Sequence, residues 1–422
     1  MSRNTIMVIL VLVTFFVISF LTNVLGPLIP DIIDNFNLSL GLAGFLPFSF
    51  FVAYGVMSVP AGILVEKYTE KPVMIAAFVL GFGGALLFAL FPGFSIALIS
   101  LFLIGIGMAM LQVIINPLLR TSGGESNYAF YSAMAQLVFG LASFLSPQLY
   151  TYLVQNVHSG NTGLFISIMD KLVPENLKWV SLYWVFTLIT LAMIVMIWML
   201  KFPKVELTED ERIEIGGTFR ELLANKYVIL FFIALFAYVG TEQGIANWIS
   251  KFLQTYHGVD PTTLGADTIS LFWGLMTVGC LLGLFLLKIL DSKIVLLVFT
   301  AGAIIALLTA LIGNREMALV AFPLTGFFAS VMYPVIFSLA LNSVPKHHGT
   351  FAGILCTGIA GGALVPLLVG GLAELIGLRY AMFFIFITLG YIFSIGIWAK
   401  PIVSNATIIQ KIKDMFRKKT DA

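Results

Sequence analysis

Apolar residues in this chain fall into long runs that recur at regular intervals. Bounded by charge or by Pro/Gly turns, the runs occupy about 6–29, 42–64, 73–90, 95–118, 129–154, 180–200, 227–249, 268–286, 294–312, 317–341, 351–372 and 381–397. At about 1.5 Å of rise per residue, each is long enough as a helix to cross a hydrocarbon core about 30 Å thick. The pattern predicts twelve membrane spans, with tight hairpins near 90–95 and 312–317. The first run follows Arg3, is too long for a signal-peptide core and lacks an obvious cleavage site, so it reads as a retained span.

Composition agrees with the pattern. Of 422 residues, 59% are hydrophobic and 10% charged, against roughly 45–50% and 25% in a soluble domain. Mean hydropathy is +1.02 over the whole length, so most of the chain must lie in hydrocarbon. With the amino terminus inside, eighteen of the 23 basic residues fall on the cytoplasmic side; only Lys171, Lys178, Lys251, Arg315 and Arg379 fall outside. That bias predicts a multi-pass protein of the cytoplasmic (inner) membrane with both termini in the cytoplasm, and a missed or invented span would scramble it.

The charge-dense stretch 201–226 divides the runs six and six. The expected organisation is a six-helix half over 1–200, a cytoplasmic linker over 201–226, a second half over 227–400 and a basic amphipathic tail over 401–422 lying on anionic lipid. Thr208 with Glu211, and Thr218 with Glu221, fit capping boxes for short surface helices in the linker. An internal echo supports the division. Gly62 to Lys67 and Glu70, and Gly283 to Lys288 and Asp291, share the spacing Gly-x4-Lys-x2-acid at the same end of the second span of each half.

Chemistry is sparse. Four histidines, Cys280 and Cys356 inside apolar runs, no Cys/His ligand spacing, no phosphate loop and no basic aromatic stripe leave no catalytic set, no metal site and no nucleic-acid surface. Polar side chains inside spans are therefore the candidates, because hydrocarbon tolerates them only against protein or a water-filled path. Asn23, Gln112, Asn116, Gln136, Gln243 and Asn247 offer amides for hydroxyl groups, and Trp248, Trp273 and Tyr333 offer aromatic faces. Gln112 with Asn116, and Gln243 with Asn247, are i,i+4 pairs on single helix faces. Pro117 and Pro334 are expected to bend their helices. Glu242 is the sharpest candidate: it lies inside span seven, every Lys and Arg lies at a span end or in a loop, and so it must draw its counter-charge from a proton, a bound cation or water. It is expected to accept hydrogen bonds from a solute's hydroxyl groups, to couple a cation, or both. The competing reading for all these amides is hydrogen bonding between helices.

The segment Gly62-Ile-Leu-Val-Glu66-Lys67-Tyr-Thr-Glu-Lys71 resembles the loop signature of the major facilitator superfamily, which implies a gating role for Gly62, Glu66, Lys67 and Lys71. Further stretches resemble its fucose permease and glucose/galactose symporter branch. They are Gly105-Ile-Gly107 with Gln112-x3-Asn116-Pro117, Ala135-Gln136, Tyr238-Val-Gly-Thr-Glu242, Tyr333-Pro334-x-Ile336-Phe337-Ser338-Leu339, Gly361-Gly362-x3-Pro366, and Asp170-Lys171-x2-Pro174-Glu175-x-Leu177. The resemblance implies an all-α fold of two pseudo-symmetric six-helix halves, importing a hexose-type sugar by cation symport through alternating access, with Asn23, Gln136 and Tyr333 on cavity positions. It departs at both protonatable positions of the fucose permease, where this chain has Gly26 and Gln112, so that proton mechanism does not carry over. Sodium is then the favoured coupling ion over a proton, no other cofactor is expected, and the protein is expected to work as a monomer with sugar and membrane lipid as its partners. A facilitative uniporter, or an exporter of another small organic solute, is the alternative.

Overall fold

The computed structural model describes residues 3–124, 128–160, 163–202, 217–344 and 348–402. Most of the expected linker and nearly all of the basic tail lie outside the described residues. Twelve helical stretches are long and apolar enough to cross a membrane: Thr5–Phe36, Leu40–Val65, Glu70–Leu90, Phe94–Gly123, Met134–Asn156, Glu175–Met199, Lys226–Ala246, Pro261–Ile289, Ser292–Ile312, Arg315–Leu341, Thr350–Ile376 and Leu378–Trp398, here spans 1 to 12.

The two sets of six pack alike. Span 2 lies against 4, 3 against 4 and 6, and 1 against 4 and 5; six spans later, 8 lies against 10, 9 against 10 and 12, and 7 against 10 and 11. The halves meet along two seams, span 2 with 11 and span 5 with 8. In hydrocarbon no hydrophobic force draws helices together, so such seams depend on small residues that let backbones approach. At Gly140 of span 5, an added Cβ would stand 1.8 Å from the Thr277 hydroxyl oxygen of span 8. Only glycine permits that crossing.

Three spans are broken, and the sequence gives the cause in two of them. Span 1 stops as a helix at Thr22 and resumes at Leu25. Pro27 has no N–H for the carbonyl of Asn23, so the turn there has no bond to hold it. Span 10 breaks between Ala329 and Met332. Pro334 likewise leaves the Ser330 carbonyl free, and that oxygen accepts from the Cys280 thiol at 3.5 Å. Pro117, also expected to bend its helix, sits within a single helix running from Phe94 to Gly123. Span 7 ends at Ala246, where the Asn247 N–H and side-chain amide both turn to the Gln243 carbonyl, at 3.1 and 2.9 Å. The chain then continues as a helix over Ile249–His257. The breaks of spans 1 and 7 touch: a Cβ on Gly26 would lie 2.5 Å from the Ala246 carbonyl oxygen.

Polar contacts join the halves at the end opposite the chain termini. The Gly41 N–H donates to Glu374 at 2.8 Å, Gln148 to Asp267 at 2.7 Å, and Thr151 to the Thr262 carbonyl at 2.7 Å, while Lys251 stands 3.8 Å from Asp34. This far end is shut.

Candidate transport site

Glu242 lies in span 7 on the helix face of Tyr238, whose ring meets Tyr333 of span 10. One turn earlier on the same helix, the Tyr238 hydroxyl donates to its Oε2 at 2.5 Å, and Gln243 Nε2 donates to Oε1 at 3.1 Å. Gln243 in turn accepts from Asn247 at 3.2 Å, so the run from Glu242 to Asn247 is one hydrogen-bonded chain. Among the described residues each carboxylate oxygen has a single neutral donor, which leaves lone pairs open and the charge uncompensated. Among the described residues, no Lys, Arg or His forms an ion pair with Glu242; the ion pair found among them is Lys251 with Asp34.

An aromatic wall stands beside the acid. The Tyr238 and Tyr333 ring centroids are 5.8 Å apart, and Tyr333 stacks on Phe337 at 5.9 Å. Phe51 and Tyr54 of span 2, themselves stacked at 6.0 Å, extend the wall from the other half. They reach it because Gly362 has no side chain: a Cβ there would lie 2.9 Å from the Phe51 ring and 3.2 Å from Gln243. Glu242, Gln243, Asn247 and Tyr333 are thereby gathered into one region, with Tyr238 as the link.

The remaining candidates lie elsewhere. At the span 1 break, buried Asn23 donates to Ser143 at 2.9 Å and reaches Ser19 at 3.4 Å, while Ser19 donates to the Phe139 carbonyl at 2.6 Å. Trp273 is on the helix face that carries Ile269, whose tip meets Gly26, and Thr277, which meets Gly140. It is buried, and among the described residues its indole nitrogen has no hydrogen-bond partner. Gln112 is half-buried, whereas Asn116 and Gln136 are exposed.

Two expectations find a different setting. Trp248 presents no free face: it is fully buried, it donates to the Pro366 carbonyl at 3.2 Å, and it lies where a Cβ on Gly370 would touch it. It ties span 7 to span 11. Lys71 does not reach across to the other half; it donates to the Trp198 and Leu200 carbonyls at 2.8 and 2.7 Å, capping span 6 of its own half. Lys293 does the same for span 12, at 2.8 Å from the Ala399 carbonyl. Gly62 is buried, Lys67 is exposed against the Tyr68 ring, and the Glu66 side chain lies outside the described residues.

Sequence reasoning missed the partners of these groups. Tyr238 was legible as i−4 to the acid. Ser19 and Ser143, from spans far apart in sequence, carried no signal. Asp31, which accepts from Tyr150 at 2.5 Å, was hidden because the apolar run was closed at 29 while the helix continues to Phe36.

A twelve-span bundle in two like halves, shut at one end, with polar and aromatic side chains gathered where broken helices meet, is the construction of a secondary transporter. The chain belongs to the Major Facilitator Superfamily, whose sequence model matches residues 11–357. It is 28% identical over 392 residues to the glucose/galactose transporter of Brucella abortus, covering 91% of each chain. It is 25% identical over 403 residues to the L-fucose-proton symporter of Escherichia coli, covering 88% of this chain and 90% of the relative. Among solved structures, the outward conformation of the Escherichia coli fucose:proton symporter superposes with a TM-score of 0.67 at 21% identity, covering 94% of this chain and 100% of that one. An inward-facing, occupied bacterial homolog of the human lysosomal transporter Spinster gives 0.76 at 13% identity, covering 95% and 98%. The named relatives are transporters, not enzymes.

Proposed function

We propose that this protein imports a hexose-type sugar by symport with a cation, by alternating access between its halves. The observation that carries the reading is Glu242: an acid inside the membrane, held by neutral donors only, beside amides suited to hydroxyl groups and rings suited to the C–H face of a sugar. Its counter-charge comes from solution. The names of the glucose/galactose and fucose relatives support a sugar as substrate. Sodium is favoured over a proton because Gly26, where the fucose permease has an acid, is filled by the Ala246 carbonyl, and Gln112 cannot ionise. The bias of basic residues supports an inner-membrane location with both termini in the cytoplasm. On that orientation the shut far end is external, and the molecule faces inward.

Uptake of labelled hexoses into proteoliposomes, with sodium and pH gradients imposed separately, tests this. Accumulation under a sodium gradient is expected, and Glu242→Gln abolishes accumulation while leaving exchange measurable. Accumulation that survives the substitution removes Glu242 from coupling. The absence of both fucose-type acids also favours a second reading, facilitative uniport, which predicts exchange without accumulation under either gradient.

A further inference from the structure

We infer that the Glu242 site also takes hexoses carrying a protonated amine, the substrate's own ammonium standing in for the coupling cation. The inference rests on the sugar-transporter reading and narrows its substrate class.

The argument begins with the acid's unused capacity. Tyr238 and Gln243 each occupy one lone pair on one oxygen, and both are neutral. A sugar hydroxyl can fill a remaining lone pair but leaves the charge standing. An ammonium does both: it donates up to three N–H bonds and cancels the charge, in a setting of low dielectric where that cancellation is strong. The surroundings suit a cation as well. Aromatic rings line this region, Tyr238 and Tyr333 with centroids 5.8 Å apart and Phe337 stacked on Tyr333, and an ammonium is attracted to an aromatic face within reach. Among the described residues no protein cation pairs with the acid and competes for it.

One acid can satisfy one cation. A neutral hexose therefore travels with an inorganic cation at Glu242, and an aminohexose travels without one. The two modes exclude each other at that carboxylate, so sodium competes with the aminohexose although it drives the neutral sugar. Because the aminohexose itself carries the positive charge, an inside-negative membrane potential drives its entry with no ion gradient.

The test uses the full chain in proteoliposomes at inside-negative potential, with labelled glucose, galactose, glucosamine and N-acetylglucosamine, the last a neutral control of similar shape. Expected is glucosamine entry without a sodium or pH gradient, stronger at acid pH where the amine is charged, and weakened by added sodium. Glucosamine should also compete with sodium-driven entry of the neutral hexose, a measurement on the unaltered protein. Glu242→Gln should cut glucosamine entry by roughly tenfold or more, the order expected when a charge-assisted hydrogen bond is lost, and Tyr333→Leu should lower it while Tyr333→Phe does not. Neutral hexose accumulating while glucosamine neither enters nor competes overturns the inference and leaves the sugar reading intact. Glucosamine entering only under a sodium gradient also overturns it. No entry of any of the four sugars overturns both.

Discussion

Gly26 shows how a single position can mislead when read as a gap in a motif. Its neighbour is the Ala246 carbonyl oxygen, 2.5 Å from where a Cβ would stand, with Ile269 at 3.1 Å. The space an acid would need belongs to the break in span 7. Gly26→Asp should therefore lower thermal stability and transport together, rather than restore proton coupling; the clash and an unpaired buried charge each cost on the order of 1–3 kcal/mol or more. A melting curve in detergent beside a pH-gradient uptake assay checks it. His257, outside the spans at the far end, carries a different prediction. Burial, with Arg379 and Arg315 nearby, holds its imidazole below the ordinary histidine range, and among the described residues its Nε2 has no hydrogen-bond partner. The unfolded chain thus takes up a proton at a pH where the folded chain does not. Stability is intact above about pH 6.5 and falls as the solution is acidified through the unfolded value. His257→Gln should flatten that part of the pH profile of the melting temperature.

At the level of helices, two lysines do the same work six spans apart. Lys71 and Lys293 each close the last carbonyls of the final helix of their own half. The exposed ends of such carbonyls carry partial negative charge, and a cation there contributes about 0.3–1 kcal/mol. Lys71→Met and Lys293→Met should each lower the melting temperature modestly. The double variant should show the sum, because distant sites with no shared partner act independently. A strongly non-additive melting shift would deny that each lysine serves its own half. The sequence made the repeat visible, since Gly62 and Gly283 open matching loops, but the matched spacing picked out Lys67 and Lys288. Which lysine meets a helix end depends on where spans 6 and 12 finish, and one-dimensional spacing does not carry that. The twelve spans were legible because each needs about twenty apolar residues in a row. Their breaks were legible only in part. Pro334 marks the break in span 10, whereas Pro117 does not interrupt span 4, and span 7 breaks with no proline at all. Trp248 fits the same lesson: apolar neighbours and a nearby span end suited both a sugar platform and a packing post, and only the Pro366 carbonyl decides between them.

The whole molecule is held in one state by contacts that must break for the other. Glu374 takes the Gly41 N–H at the start of span 2, and Gln148 of span 5 holds Asp267 and Ser270 at the start of span 8, at 2.7 and 3.2 Å. These clasps lie on the two seams that relate the halves, 2 with 11 and 5 with 8, so each half grips the other in the same manner. Alternating access requires both to open together, because rigid halves rock about the seams instead of parting at one. Loosening one clasp should then shift the equilibrium of the whole far end. For the part-buried Gln148 bond, a net worth of about 0.5–1.5 kcal/mol lost only from the shut state moves that balance roughly two- to tenfold, and loss of the Glu374 bond shifts it further in the same direction. Spin labels at Glu175 and Leu264, on opposite halves near the far end, give the readout. Gln148→Ala with Glu374→Ala should move their distance distribution toward longer separations. Lys71→Met, whose bonds stay within one half, should leave it unchanged. A distribution indifferent to both clasps would mean that apolar seam packing alone shuts the far end, and Gly140 against Thr277 would then be the contact to alter next.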